Sequence, residues 1–339
     1  MCKATNALLK CPLSKVPLET RGSQIHLIGP AVAVEEHATE RSGADSVPTR
    51  RNAARALLRA CRPRQWAKNV LVLAAPLAAG VITQPSIIGE VALAFVSFCL
   101  VSSATYLLND VRDREEDRRH SRKRHRPIAA GEISPRAALI AAAVTAVVGL
   151  AIATAARPLL GAVALIYLLL TTSYSLIWRH LVVADVAVIA AGFVLRAVAG
   201  GVATDVALSR RFLFAVTAGA VFLVAGKRYA ELHESDDDRL AGSRATLRGY
   251  SSRTMRRVVN LAAAATIVAY SAFAFMRDPD APWFYLAIVP LAGWLWRYSG
   301  LLSTGAGQAP EELVLHDRAL LGASLAWVVL FVIGTYASG

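Results

Sequence analysis

Long apolar stretches alternate with charged ones along this chain. Nine segments are dominated by apolar residues: 69–84, 87–108, 137–156, 158–177, 181–203, 211–226, 258–276, 282–299 and 318–337. A hydrocarbon core needs roughly 20 helical residues to cross it. The pattern therefore predicts an all-α polytopic membrane protein with about nine transmembrane helices. The first and sixth segments are short as drawn, and the pattern also accommodates eight or ten spans.

The charged stretches set an orientation. Segment 109–136 carries nine Lys/Arg and segment 227–257 carries eight, whereas the alternate connections hold little beyond Arg157, Arg210, Arg211 and Arg277. The positive-inside rule then places the N-terminus and both basic segments in the cytoplasm and the C-terminus outside. The net charge of +13 on a 55% hydrophobic chain is read as membrane-face charge, with no nucleic-acid partner. Residues 1–49 mix Pro, Ser, Glu, Thr and His without period or signal-peptide pattern, and are expected to form a disordered cytoplasmic tail. The basic stretch from Arg50 to Lys68 opens a membrane-embedded domain over 50–339, and its helix suits an anionic lipid surface. Cys2, Cys11, Cys61 and Cys99 show no zinc or disulfide spacing. Nothing in the pattern fixes an oligomeric state, and a homo-oligomer is compatible with it.

The chemistry concentrates where the second apolar segment ends. Asn109, Asp110, Asp113 and Asp117 share one helical face, the aspartates at i, i+3 and i+7. Hard oxygen ligands so placed suit Mg²⁺ bound together with substrate phosphates. A basic run follows, including Arg118, Lys123 and Arg126, suited to phosphate oxygens that the metal leaves free. Taken alone, that run is as well explained as a positive-inside anchor. A second constellation, Lys227, Arg228 and Glu231, ends the sixth apolar segment, with Arg244, Arg248 and Tyr250 further along the same connection. The intervening acidic run Asp236–Asp238 reads as a solvated loop. Lys68 and Asn69, beside the interfacial Trp66, are positioned to meet a lipid phosphate. Asp185 and Arg196 are ionisable groups inside the fifth segment. Asp185 is a candidate to join the site. Eleven residues at ~1.5 Å each put them ~16 Å apart, too far to pair.

Asn109-Asp110-x-x-Asp113-x-x-x-Asp117 resembles the first aspartate motif of the UbiA superfamily of intramembrane prenyltransferases, as does the layout of charged segments after the second and sixth spans. The resemblance covers about residues 55–339. It implies Mg²⁺ held by Asn109, Asp110, Asp113 and Asp117 against a diphosphate. One departure matters: where most members carry a second Asp-rich motif, this chain has Gly226-Lys-Arg-Tyr-Ala-Glu231. With Arg62-Pro-x-Gln-x-x-Lys68-Asn69, Lys123-Arg-x-Arg126-Pro127 and Gly192-Phe-x-x-Arg196, that substitution is similar to one branch of the superfamily. The branch transfers 5-phosphoribose from phosphoribosyl diphosphate (PRPP) to decaprenyl phosphate in actinobacterial cell-wall arabinan synthesis. The resemblance implies the same donor and acceptor here, at the cytoplasmic face of the plasma membrane. Arg118, Lys123, Arg126, Lys227 and Arg228 would serve the donor phosphates. Glu231 would accept from a ribose hydroxyl or orient Arg228. The acceptor phosphate would lie near Lys68, Asn69 or the 244–250 segment. The alternatives are an aromatic prenyltransferase of the same superfamily, which the Lys-Arg-Glu substitution disfavours, and a transporter, which the one-sided gathering of charge disfavours.

Overall fold

A computed structural model of the chain describes residues 50–178, 181–238, 251–276, 282–304 and 310–337. The expected tail at 1–49 lies outside them, as do Arg244, Arg248 and Tyr250. All regular structure among the described residues is helical. The α-helices are α1 (Arg50–Ala60), α2 (Ala74–Ala78), α3 (Pro85–Arg112), α4 (Arg114–Arg119), α5 (Pro135–Ala156), α6 (Pro158–Ser173) and α7 (Val182–Ala203). They continue with α8 (Arg210–Asp238), α9 (Ser252–Ala274), α10 (Trp283–Leu286), α11 (Ile288–Leu302), α12 (Pro310–His316) and α13 (Arg318–Tyr336). A 3₁₀ segment, Pro63–Leu73, precedes α2, and a π-helical turn, Tyr174–Trp178, ends α6.

Among the described residues seven helices are long and apolar enough to cross a membrane: α3, α5, α6 with its π turn, α7, α8, α9 and α13. The protein is thus all-helical and multi-pass, but nine continuous spanning helices are not observed. Both exceptions carry a proline near the break. Pro76 has no N–H to return to the carbonyl four residues back, at Val72, close to where the 3₁₀ segment gives way to α2. Pro290 likewise leaves the Leu286 carbonyl without its helical donor, and α10 and α11 part at Ala287. Proline also starts helices where its missing N–H costs nothing: Pro85, Pro135 and Pro158 open α3, α5 and α6. Side chains cap two others, Ser134 accepting from the Ala137 N–H of α5 and Asp317 from the Ala319 and Leu320 N–H groups of α13.

α3 is the central strut. In its most apolar stretch 61% of residues are buried in protein, against 22% for α5 and 17% for α13. The outer helices leave Ile140, Val147, Leu261, Val268 and Leu325 exposed, as lipid-facing positions must be. One apolar cluster joins Val72, Phe98, Val101, Leu160, Val163 and Tyr167 across the 3₁₀ segment, α3 and α6. Another joins Phe222, Tyr229, Met255, Val259, Tyr298 and Leu302 across α8, α9 and α11.

The 3₁₀ segment is locked to α7 by a close backbone approach. A Cβ added at Gly200 would stand 1.8 Å from the Val72 carbonyl oxygen. That is the carbonyl Pro76 cannot serve, and only glycine lets α7 approach it. Gly200→Ala must push the two elements apart. It is expected to cost about 1–3 kcal/mol, as overpacking typically does, and to lower the thermal unfolding temperature in detergent. An unchanged unfolding temperature would contradict this contact.

Candidate active site

The charged stretch after α3 folds as the aspartate spacing anticipates. α3 ends at Arg112, yet the helical register carries across the junction. The Asp113 N–H donates to the Asn109 carbonyl at 2.9 Å and the Asp117 N–H to the Asp113 carbonyl at 2.7 Å. Asp110 and Asp117 therefore stay on one face, and both are buried, each 2% exposed. Such burial is costly for carboxylates unless cations meet them. Arg126 Nη1 meets both, 2.6 Å from Asp117 Oδ2 and 3.3 Å from Asp110 Oδ1. Arg62 also pairs with Asp110 and lies over the Tyr106 ring, 5.3 Å from its centroid. Arg62 is in the left-handed region with φ 54°, a cost borne by few non-glycine residues.

Asn109 and Asp113 are half-buried at the same helix end. Among the described residues no three acidic, histidine or cysteine side chains converge as a metal-binding group. The two buried aspartates of the expected ligand set, Asp110 and Asp117, share an arginine. Arg118 turns to the backbone, its Nε donating to the Ala129 carbonyl at 3.1 Å and its Nη1 to Glu115 at 3.2 Å. It braces the turn rather than facing the carboxylate pair. The His120 Nδ1 accepts from the backbone N–H of Arg122 at 3.2 Å. Desolvation, aided by the nearby Lys123 charge, holds its imidazole below the ordinary histidine range. Lys123 is half-buried in this turn.

The second constellation is a buried ion cluster. Arg228, 2% exposed, forks onto Asp185, itself 1% exposed, with Nη2 2.7 Å from Oδ1 and a second bond from Nε to Oδ2. Its Nη1 donates to Glu231 at 2.5 Å. Asp185 thus pairs with the second segment, and Glu231 meets the same guanidinium. Tyr174, in the π turn, donates its hydroxyl to Asp185. Arg112, at the end of α3, donates to the Leu176 carbonyl in that same turn at 3.2 Å. The π turn therefore connects the first acidic segment to the second. Lys227 is half-buried one residue before Arg228.

Asn69 departs from expectation. It is fully buried and accepts from Arg196 Nε at 2.7 Å, while its amide faces Cys99 Sγ and Ser102 Oγ. Arg196 also donates to the Tyr167 hydroxyl at 2.8 Å and the Gly192 carbonyl at 2.7 Å. Asn69 satisfies a buried guanidinium and is not available to a lipid phosphate. Lys68 stays half-buried, its ammonium 2.5 Å from Gln65 Oε1. Sequence reasoning missed Arg62 as a partner of Asp110, although Arg62-Pro63 stood out as a motif. It also missed Tyr174, for which the sequence offers no signal beyond a tyrosine at the end of an apolar run.

These features define an all-helical, multi-pass membrane protein whose buried carboxylates are met by arginines at helix ends. Comparison with known proteins narrows the class. The UbiA prenyltransferase family matches residues 70–321, and the chain belongs to that family. Proteins named decaprenyl-phosphate phosphoribosyltransferase are similar over most of its length. The one from Corynebacterium glutamicum is 41% identical over 84% of this chain and 88% of its own. The one from Mycobacterium tuberculosis is 42% identical over 80% and 91%. A UbiA homolog from Archaeoglobus fulgidus, solved with GPP and Mg²⁺, superposes with a TM-score of 0.64 at 19% identity, over 83% of this chain and 98% of its own. At that identity the likeness speaks for the fold.

Proposed function

We propose that this protein transfers 5-phosphoribose from PRPP to decaprenyl phosphate, releasing diphosphate, at the cytoplasmic face of the plasma membrane. The observation that carries the reading is the asymmetry of the two charged segments. The first presents buried carboxylates with arginines, while the second presents Lys227 and an arginine held by carboxylates where a second aspartate pair would serve a prenyl diphosphate. The relatives at 41% and 42% identity bear names with the same acceptor and transferred group.

A divalent cation fits the first segment chemically. Two carboxylates reach one cationic nitrogen, Arg126 Nη1, at 2.6 and 3.3 Å, and hard oxygens facing a shared positive centre are the donor set Mg²⁺ takes. Asp110 and Asp117 would hold it, with Asn109 and Asp113 beside them. When bound it supplies charge neutralisation at the diphosphate.

The chain's own residues do the rest. Arg126 and Arg62, whose forks now face carboxylates, suit bidentate contacts to phosphate oxygens, and Lys123 and Lys227 add point charges nearby. Glu231 and Asp185 hold the Arg228 guanidinium in a fixed orientation. The acceptor phosphate is anionic at neutral pH, so attack on the anomeric carbon needs no general base, and in-line displacement inverts that centre. Lys68 remains suited to the acceptor phosphate.

The deciding measurement offers membranes carrying the protein labelled PRPP with polyprenyl phosphate, and in parallel a prenyl diphosphate with an aromatic acceptor. Label entering the lipid fraction only with polyprenyl phosphate is the expected result. Prenylation of the aromatic acceptor without label transfer would overturn it. Tyr174→Phe, which removes one donor to Asp185, is expected to reduce turnover several-fold, about 1 kcal/mol of positioning, with the unfolding temperature nearly unchanged. Wild-type turnover in that variant would remove the π turn from the mechanism.

A further inference from the structure

A groove of about 310 Å³ lies between α8, α9 and α11, lined by Tyr229, Arg256, Asn260, Trp296, Arg297 and Ser303 among others. It stands apart from the site described above. Arg228 and Tyr229 are successive residues on α8, about 100° apart around the helix. Arg228 faces Asp185 on α7, whereas Tyr229 faces the groove and packs in the cluster with Val259 and Tyr298. The groove therefore opens on the other side of α8 and is not used by the proposed transfer.

Its chemistry is cationic, hydrogen-bonding and aromatic at one end and faces lipid at the other. Arg256 and Asn260 are one turn apart on α9 and present the same face. Among the described residues no ion pair engages Arg256. Arg297 is held in place by Asp317, 2.8 Å from Nη2, and Asp317 is fixed in turn by accepting two backbone N–H groups of α13. The opposing arginine is thus oriented in advance, and the pair still carries net positive charge. Trp296 at the rim is 80% exposed, as an aromatic belt residue would be at the boundary between headgroups and acyl chains. Further along the same helices Leu261 and Val289, each 71% exposed, and Val268, 64% exposed, offer apolar surface to acyl chains.

We infer that this groove binds the headgroup of an anionic phospholipid from the surrounding bilayer. The phosphate is gripped between Arg256 and Arg297, Asn260 and Ser303 hydrogen-bond the phosphate or glycerol oxygens, and the acyl chains run along α9 and α11. An arginine pair suits a phosphodiester because each planar fork meets two oxygens at once. A zwitterionic headgroup adds a quaternary ammonium that the two arginines repel, so the site distinguishes phosphatidylglycerol from phosphatidylcholine. The acceptor phosphate belongs on the opposite side of α8, where the carboxylates and Arg228 lie.

The test is native mass spectrometry of the full chain, released from detergent with phosphatidylglycerol or phosphatidylcholine added at equal concentration. Wild type should retain phosphatidylglycerol in preference to phosphatidylcholine. Arg256→Gln and Asn260→Ala should each weaken that retention, Arg256→Gln by about tenfold for the loss of a charge-assisted contact. Their unfolding temperatures in lipid-free detergent should match wild type, since neither side chain is buried. Equal retention of the two lipids, or wild-type retention in Arg256→Gln, overturns the proposal. Displacement by an equal concentration of polyprenyl phosphate overturns it in favour of an acceptor site, and displacement by millimolar inorganic phosphate in favour of a simple anion site.

Discussion

Asp117→Ala should reduce transfer by about a thousandfold or more, equivalent to ~4 kcal/mol of transition-state stabilisation, while leaving the protein folded. Asp117 is one of two buried carboxylates converging on Arg126. Its loss removes half of the oxygen set that suits a divalent cation. The fold is expected to survive because Arg126 keeps Asp110 as a partner, at 3.3 Å, and Asp110 keeps Arg62. No charge is left buried alone. Asp117→Asn should recover little, because an amide cannot supply the missing negative charge. Turnover titrated with Mg²⁺, alongside thermal unfolding, reads both effects. Near-normal turnover at any Mg²⁺ concentration would remove Asp117 from the mechanism.

Arg228→Met carries the other large effect, and here stability goes first. The substitution takes the guanidinium from the carboxylate of Asp185, 1% exposed, and an ion pair from Glu231. Breaking a buried pair from one side costs about 3–5 kcal/mol, a large share of the stability of an ordinary domain. The yield of folded protein and its unfolding temperature should both fall sharply. Arg228→Lys should fall between, since an ammonium cannot fork across both Asp185 oxygens and also reach Glu231. The double variant Arg228→Met with Asp185→Leu should regain much of the stability by replacing the pair with apolar bulk. If it also regains transfer, the ion cluster is structural only. If stability returns without activity, the cluster positions the second segment for catalysis.

Much of the fold was legible because a bilayer makes hydropathy decisive. Backbone groups in hydrocarbon must bond within their own helix, so long apolar runs leave little choice. The positions of α3, α5, α6, α7, α8, α9 and α13 follow from that constraint. The two segments that break do so at Pro76 and Pro290, where the covalent cause was visible but its structural result was not. A helix interrupted by proline can kink, shift to 3₁₀ or end, and the choice depends on contacts with distant segments such as that between Val72 and Gly200. The candidate site was legible where its order is local. Asp110 and Asp117 share a face because helical register alone puts them there. What joins distant segments was not legible: Arg62 to Asp110, Arg196 to Asn69, Tyr174 to Asp185. Asn69 illustrates the reason. Its neighbour Lys68 and the lipid-facing location invited a phosphate, but which way a side chain points depends on the helix turn. In a 3₁₀ segment that turn is three residues, not 3.6.

The same tight winding changes how far the entrance of the chain reaches. A 3₁₀ helix rises about 2.0 Å per residue against 1.5 Å for an α-helix. The 11 residues of Pro63–Leu73 therefore extend ~22 Å, where α-helical winding would give ~16 Å. With α2 following, the stretch from Pro63 to Ala78 comes to about 30 Å, the depth of a hydrocarbon core. By rise alone the stretch thus reaches about as far as twenty α-helical residues would, with Arg64 and Lys68 in its first two turns.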